Sequence, residues 1–281
     1  MLHAAHILCL GTSTATWTQA VHLARCLEAT LHVVPALPSE RPASTPTKGA
    51  PISVEAATVP TRLVRARTDS VPAVLRYVSD ADIDLVVADA SPDRGPVAPL
   101  TTDRLQALAR RLARPLFGVE HQDSPDAVQH LFVPTDLSDR ALWAFRHAVA
   151  LARLYDATID VLHVMESLPY VALTPTDRLS LGTQPLSERR GRRRLRAFLA
   201  DGEAPNVQVR SHIMHGDAAD QIIRFVDRAD MDLTVLSAHG RNAREDPIGR
   251  VGARVLRRTA CSLFLLRGAG PSLLLPSDEG A

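Results

Sequence analysis

The amino-acid sequence repeats itself. His22-Leu23-Ala24-Arg25-Cys26-Leu27-Glu28-Ala29-Thr30-Leu31 aligns with Ala150-Leu151-Ala152-Arg153-Leu154-Tyr155-Asp156-Ala157-Thr158-Ile159. Further on, Ala81-Asp82-Ile83-Asp84-Leu85-Val86-Val87 aligns with Ala229-Asp230-Met231-Asp232-Leu233-Thr234-Val235. The stretch between the two segments is longer in the second copy. A repeat of this length is a duplicated domain and not a solenoid unit. The 281 residues therefore suggest two domains of ordinary size.

The second copy is the easier to parse. Leu131-Phe132-Val133 is a short apolar run that ends at Pro134. Leu142, Phe145, Val149 and Ala152 recur at helical spacing over 139–154, with Ser138 or Asp136 positioned to cap the helix. Thr158 to Met165 reads as a buried strand, Leu186 to Leu199 as a helix and Val207 to Met214 as a strand. Asp217 opens a helix with Ile222 and Val226 facing inward; Leu233 to Leu236 is a strand, 250–258 a helix and Ser262 to Leu266 a last strand. Such alternation requires right-handed crossovers and a parallel sheet with helices on both faces. The first copy repeats it with strands near 6–10, 29–34, 62–67, 84–88 and 115–119, and helices near 15–28, 71–80 and 101–113. Pro35, Pro38, Pro42, Pro46, Pro51 and Pro60 deny its second crossover a long helix, leaving an irregular loop with a short helical piece around Ile52 to Ala57.

Composition excludes several classes. The chain is 46% apolar, enough for packed cores, yet no run of ~18 apolar residues marks a membrane span and its start lacks a basic secretion signal. A cytoplasmic protein with no membrane partner is expected. Cys9, Cys26 and Cys261 are too scattered for a disulfide framework or a Cys-x-x-Cys metal site. With 32 basic against 31 acidic residues, and neither half strongly basic, nucleic acid is not an expected partner. Lys48 is the only lysine and stands between Thr47 and Gly49, so a Gly-Lys-Ser/Thr phosphate loop is excluded.

In an open parallel sheet ligands sit outside the carboxyl ends of the strands, where strand order reverses. At that edge the second copy places Pro134-Thr135-Asp136, His163-Val164-Met165, Met214-His215-Gly216-Asp217 and the stretch from Ser237 to Arg250. These residues resemble the universal stress protein family. Its members show Pro-Thr-Asp after the first strand, His-Val in the second and Gly-Asp opening the third helix. An Asp-Leu-x-Val strand then runs into a Gly-x-x-Gly loop. The matching text here is Val133-Pro134-Thr135-Asp136-Leu137-Ser138, His163-Val164, Gly216-Asp217, and Asp232-Leu233-Thr234-Val235-Leu236-Ser237-Ala238-His239-Gly240-Arg241, with the family ending at Val255 to Leu266. The resemblance covers 129–267 and, more faintly, 6–119. It implies an α/β protein of two tandem Rossmann-like domains, each a five-stranded parallel sheet of order 3-2-1-4-5 flanked by helices. The expected boundaries are 1–121, a linker at 122–128, 129–267, and a flexible tail at 268–281.

The resemblance also implies a ligand: ATP, or ADP or AMP, with Mg2+ accompanying the nucleotide. Asp136 and Val164 would hold the base, Gly216 would lie under the ribose, and Gly240, Gly249, Arg250 and Val251 would line the phosphates. Pro134, Thr135, Met214, Ser237 and His239 complete the implied binding set, His239 as a residue that orients the loop. Three departures stand out. Ser237 replaces the first glycine, eight residues rather than nine separate Gly240 from Gly249, and Arg250 replaces a serine or threonine hydroxyl. At a positive-φ position Ser237 would cost roughly 1 kcal/mol. Arg250, with Arg241 and Arg244, brings fork-shaped donors suited to phosphate. The first copy has Ala88-Asp89-Ala90-Ser91-Pro92-Asp93-Arg94-Gly95 in place of the loop and Thr68 opposite Gly216, so it is expected to bind no nucleotide. There Asp89 would point a carboxylate at any phosphate.

Two readings stay open. One is a stress-response regulator that binds an adenine nucleotide, is not an enzyme and hydrolyses ATP only slowly. The other is a protein-interaction or dimerising module of the same fold without nucleotide. In both, protein partners are unknown and the two copies play the parts of a homodimer's subunits, with further pairing of whole chains left open. Gly11-Thr12-Ser13-Thr14-Ala15 resembles a serine-hydrolase elbow but lacks the final glycine, so a helix cap is the simpler reading. Arg189 to Arg196 is the densest charge run, and a solvated helix face is the ordinary outcome. His212 and His215 lie three apart on a strand and face opposite sides, so they do not share a metal.

Overall fold

The computed structural model describes residues 2–11, 13–34, 59–64, 70–90, 102–120, 128–166, 184–238, 248–258, 261–267 and 273–274. The chain divides into two compact units, Met1–Val128 with Ala260–Ala281, and Gln129–Thr259. The proline-rich crossover, with the helical piece expected near Ile52 to Ala57, and the linker residues 121–127 lie outside the described residues.

The first unit runs β1 (His6–Leu10), α1 (Thr14–Cys26), β2 (Thr30–Val33), β3 (Thr61–Leu63), α2 (Val71–Asp80), β4 (Leu85–Asp89), α3 (Thr102–Arg111) and β5 (Leu116–Val119). These strands pair in parallel in the order β3-β2-β1-β4-β5. β4 and β5 are buried along their whole length, as continuous apolar strands covered on both faces must be. The second unit runs β6 (His130–Thr135), α4 (Asp139–Tyr155), β7 (Thr158–Met165), α5 (Gln184–Asp201), β8 (Val209–His215), α6 (Ala218–Ala229), β9 (Leu233–Ser237) and α7 (Arg250–Arg258). Its parallel order is β8-β7-β6-β9. Side chains alternate across β7. Asp160 and the His212 it binds lie on the face where Phe225 of α6 stacks on Phe132, while Met165 on the other face meets Gly191 of α5. Helices thus cover both faces, with α4 and α5 meeting through Phe145 and Phe198.

The duplication is visible atom by atom. Asp84 Oδ2 accepts from the backbone N–H of Ala5 (2.7 Å) and His6 (3.0 Å), while its own N–H donates to the His6 carbonyl (2.9 Å). Asp232 does the same at Gln129 (2.8 Å), His130 (2.8 Å) and the His130 carbonyl (3.0 Å). Each aspartate clamps the start of its unit's first strand to the strand it precedes. The positive φ values also recur in aligned positions: Glu28 (54°) with Asp156 (53°), and Asp82 (47°) with Asp230 (50°).

Ser262–Leu266, expected as the fifth strand of the second copy, is β10 and groups with the first unit. It runs antiparallel to β5, Leu263 opposite Gly118, Phe264 opposite Phe117 and Leu265 opposite Leu116. β5 has β4 on one flank, and its other flank is a buried apolar edge that cannot be left open to water. β10 covers it, with Phe264 edge-on to Phe117 and Ser262 Oγ accepting from Glu120 N–H (3.0 Å). Within its own unit the second sheet therefore has β8, β7, β6 and β9 only. Two residues within the expected tail are described, and both are held: Leu274 bridges Leu2, the Leu273 carbonyl accepts from His3 N–H (2.6 Å) and Leu273 is buried. Apolar side chains in the tail had a buried place to go.

Two predictions follow from this packing. Asp232→Ala strips an ionised acceptor from two backbone donors and should cost about 2 kcal/mol in urea unfolding, with Asp232→Asn recovering part of the loss. His32 and His147 are buried, and burial pushes both imidazoles down to about 4. The unfolded chain, at an ordinary value near 6.5, takes up these protons first, so stability is full above pH ~6.5 and falls progressively toward pH ~4. For His147, whose Nδ1–H donates to the Trp143 carbonyl (2.9 Å), the loss reaches about 3 kcal/mol. Denaturation midpoints measured from pH 7 to 4.5 should show this slope, and His147→Gln should flatten it.

Candidate nucleotide site of the second unit

Strand order in the second unit reverses between β6 and β9. These two strands pair only at Leu131–Leu233 and Phe132–Thr234, whereas β6 continues beside β7 as far as Thr135–His163. The strand does not end at Pro134, as the sequence suggested; it passes through it, with Pro134 in register with Leu162. Proline has no N–H for a ladder, and the ladder that stops short of it is the one with β9. Beyond Phe132 no backbone ladder ties β6 to β9, although the two strands remain neighbours. The matching strands of the first unit, β1 and β4, stay paired from Ile7–Leu85 to Leu10–Ala88.

One bank of this edge is built from β6 and β7. Thr135 is buried; its Oγ1 accepts from Leu137 N–H (3.0 Å), and its carbonyl accepts from His163 Nδ1–H (2.9 Å). The chain then turns through Leu137 at a φ of 60°. Ser138, not Asp136, caps α4: Ser138 Oγ accepts from Ala141 N–H (3.3 Å). Asp136 braces that cap, its Oδ1 accepting from Ser138 N–H (3.0 Å) and Oγ–H (2.6 Å). Val164 sits one residue beyond His163, half-buried, in register with Met214.

Beyond β7 the edge continues into β8 and α6. Gly216 N–H donates to the Met165 carbonyl (3.2 Å), and its φ of 128° is one that a side chain would strain. Asp217 caps α6 through Asp220 N–H (3.0 Å). That N–H, with help from Arg254, Ala219 N–H and Arg250, holds the Asp217 carboxyl below the usual carboxylate range. Arg254 of α7 grips both acids, Nη1 on Asp217 Oδ1 (3.0 Å) and Nη2 on Asp220 Oδ1 (2.5 Å). Sequence reasoning missed this clasp. Its only trace was an arginine one turn after Arg250.

The opposite bank is β9 with α7. Ser237 ends β9 without a positive φ, so the strain considered for a non-glycine there does not arise. Gly249 has a φ of 71°, and a Cβ on it would lie 3.8 Å from the Ala238 carbonyl oxygen. The chain leaving β9 thus returns beside its own departure point. α7 begins at Arg250, and its first backbone bond runs from Ala253 N–H to the Gly249 carbonyl (3.0 Å). The N–H groups of Arg250, Val251 and Gly252 precede that bond, so no helix carbonyl takes them. Arg250 is exposed and Val251 half-buried. His239, Gly240, Arg241 and Arg244 lie outside the described residues.

The first unit closes the same position. Asp89 does not point outward: it is buried, and its Oδ1 accepts from Ser13 Oγ–H (2.7 Å) and Thr16 Oγ1–H beside the start of α1. A Cβ on Gly11 would lie 2.4 Å from Thr16 Cγ2 and 2.6 Å from Asp89 Oδ1, so the turn is filled. Ser13 is an N-cap accepting from Thr16 N–H (3.1 Å), and its hydroxyl bonds Thr16 and Asp89 rather than a histidine that could act as a base. Thr68 and Ser91 to Gly95 lie outside the described residues. In the second unit His212 Nε2 bonds the buried Asp160 (2.6 Å), while His215 lies by Glu188. Among the described residues no three His, Cys, Asp or Glu side chains gather as a metal would require, and no helix is long and apolar enough to cross a membrane.

Comparison with known proteins agrees with this architecture. The model of the universal stress protein family matches residues 127–267. A universal stress protein of Methanocaldococcus jannaschii is 27% identical over 138 residues, 49% of this chain and 81% of its own. Universal stress protein A homolog 1 of Coxiella burnetii is 23% identical over 137 residues, 48% of this chain and 94% of its own. Among solved structures, a functionally unknown protein of Pseudomonas aeruginosa PAO1 superposes at a TM-score of 0.69 and 20% identity, covering 94% of this chain and 93% of its own. A universal stress protein of Archaeoglobus fulgidus does so at 0.63 and 11%, covering 94% and 98%. At these identities the structural likeness speaks for the fold, and the family match, which spans half of the chain, speaks for descent. The chain belongs to the universal stress protein family.

Proposed function

We propose that the second unit holds an adenine nucleotide, ATP or its products ADP and AMP, and that the protein is a cytoplasmic stress-response regulator whose partners read the bound state. The observation that carries this reading is the end of the β6–β9 ladder at Phe132, with a helix N-terminus on one bank of that edge and Asp136 on the other. The base rests by Asp136 and Val164, and Gly216 lets the backbone approach the ribose. The phosphates face the N–H groups of Arg250 and Val251, where a helix start favours an anion, together with the Arg250 guanidinium. Mg2+ arrives on the phosphates, which supply its oxygens. Any hydrolysis is slow and incidental to signalling. The first unit is structural: there the Asp89 carboxylate closes the edge between β1 and β4 and would repel a phosphate.

The second reading, an interaction module without nucleotide, draws on Ser237 and Arg250 standing where the family pattern has glycine and a hydroxyl. Calorimetric titration of the intact protein separates the two. The nucleotide reading expects ATP to bind at one site per chain. Arg250→Glu should weaken it at least tenfold, as loss of a charged hydrogen bond does. Titrations with ATP, ADP and AMP that all give no heat favour the module.

Arg254 generates a separate expectation. It ties α7 to the capped start of α6 without facing the phosphates. Arg254→Ala should loosen the helix that presents the anion-binding N–H groups. ATP affinity should fall severalfold, and Arg254→Lys should restore part of it.

A further inference from the structure

The densest positive charge in the chain plays no part in the nucleotide reading. On α5, Arg189, Arg190, Arg192, Arg193, Arg194 and Arg196 are all exposed, while Gly191, Leu195 and Phe198 are buried. At about 3.6 residues per turn the buried three mark one side of the helix and the six arginines spread over the opposite arc. Gly191 sits on Met165 and Phe198 against Phe145, so the orientation is set by packing. Among the described residues the only carboxylate paired with this charge is Glu188, on Arg192 (2.6 Å). Arg189 and Arg193, Arg190 and Arg194, and Arg192 and Arg196 stand four apart, and like charges at that spacing destabilise a helix. Packing of the second unit asks for none of them. The exposed face of α6 mixes Arg224, Asp227 and Arg228 instead.

We propose that this face of α5 docks an acidic helical segment of a partner protein. Arg189, Arg193 and Arg196 form a stripe at i, i+4 and i+7, rising about 10 Å along the helix. Carboxylates at the same spacing on a second helix meet them one for one, and each guanidinium is a two-pronged donor shaped for a carboxylate. Two observations separate this partner from nucleic acid. No aromatic residue interleaves with the run from 188 to 197 to stack on bases, and the whole chain balances 32 basic against 31 acidic residues, so no long-range field draws in a polyanion.

The test uses the full chain at about 0.15 M salt, where only close charge pairing survives screening. A fluorescent helical peptide with glutamate at i, i+4 and i+7 is titrated and followed by anisotropy. Binding is expected, with R189Q/R193Q/R196Q weakening it at least tenfold. R76Q/R111Q/R228Q, which removes the same charge from exposed positions elsewhere, should leave it within twofold. Because every replaced side chain is exposed, both triple variants keep the fold, which circular dichroism checks. The proposal is overturned by absence of binding, by equal weakening in both triple variants, or by a single-stranded RNA oligomer that binds tenfold tighter than the peptide.

Discussion

A proline has no amide hydrogen to lend to a sheet. In the second unit that missing donor stands where two central strands would otherwise stay joined. β6 keeps its ladder with β7 past Pro134, but its ladder with β9 ends at Phe132. The rest of the site depends on this. Beyond that point the Thr135–Asp136 turn and the start of α7 stand on opposite banks of the carboxyl edge. Each bank is then fixed locally: Thr135 by Leu137 and His163, Asp136 by Ser138, and α7 by Gly249 and the Arg254 clasp.

The first unit shows what the same plan becomes without that break. The strand-start clamp survives in both copies, Asp84 and Asp232 holding the same three backbone groups, and so do the left-handed turns. The carboxyl edges have diverged. Leu10 occupies the line of β1 where β6 has its proline, the β1–β4 ladder runs on, and Asp89 settles onto the Ser13 and Thr16 hydroxyls. A buried carboxylate thus closes the edge beside α1 in one copy, whereas in the other the corresponding helix, α4, is capped by Ser138 with Asp136 behind it.

Much of this was legible in the sequence, because it rests on local period and spacing. The apolar alternation located the strands and helices, and the paired Ala-Asp-x-Asp-Leu segments marked the duplication that the clamps make physical. What sequence could not show was which edge a strand would join. Ser262–Leu266 is plainly a strand, but its antiparallel place beside β5 follows from an apolar strand edge in need of a partner, which no local pattern reveals. Leu273 looked like part of a loose tail until His3 and Leu2 were found against Leu273 and Leu274. At the site, Pro134 read as the end of a strand because proline usually is one; that it interrupts only one of two ladders is a property of register. The Arg254 clasp joins residues far apart in sequence, and its three charged members looked like an ordinary solvated surface.

The claim at the centre of this account is that the carboxyl edge of the second unit presents the first N–H groups of α7 to a phosphate. Hydrogen exchange of the intact protein, read at the amides of Arg250, Val251 and Gly252 with and without ATP and Mg2+, tests it most directly. The account predicts that these amides slow markedly when nucleotide is added, while those at the start of α1 in the first unit do not change. Unchanged exchange at all three, at saturating ATP, would contradict it.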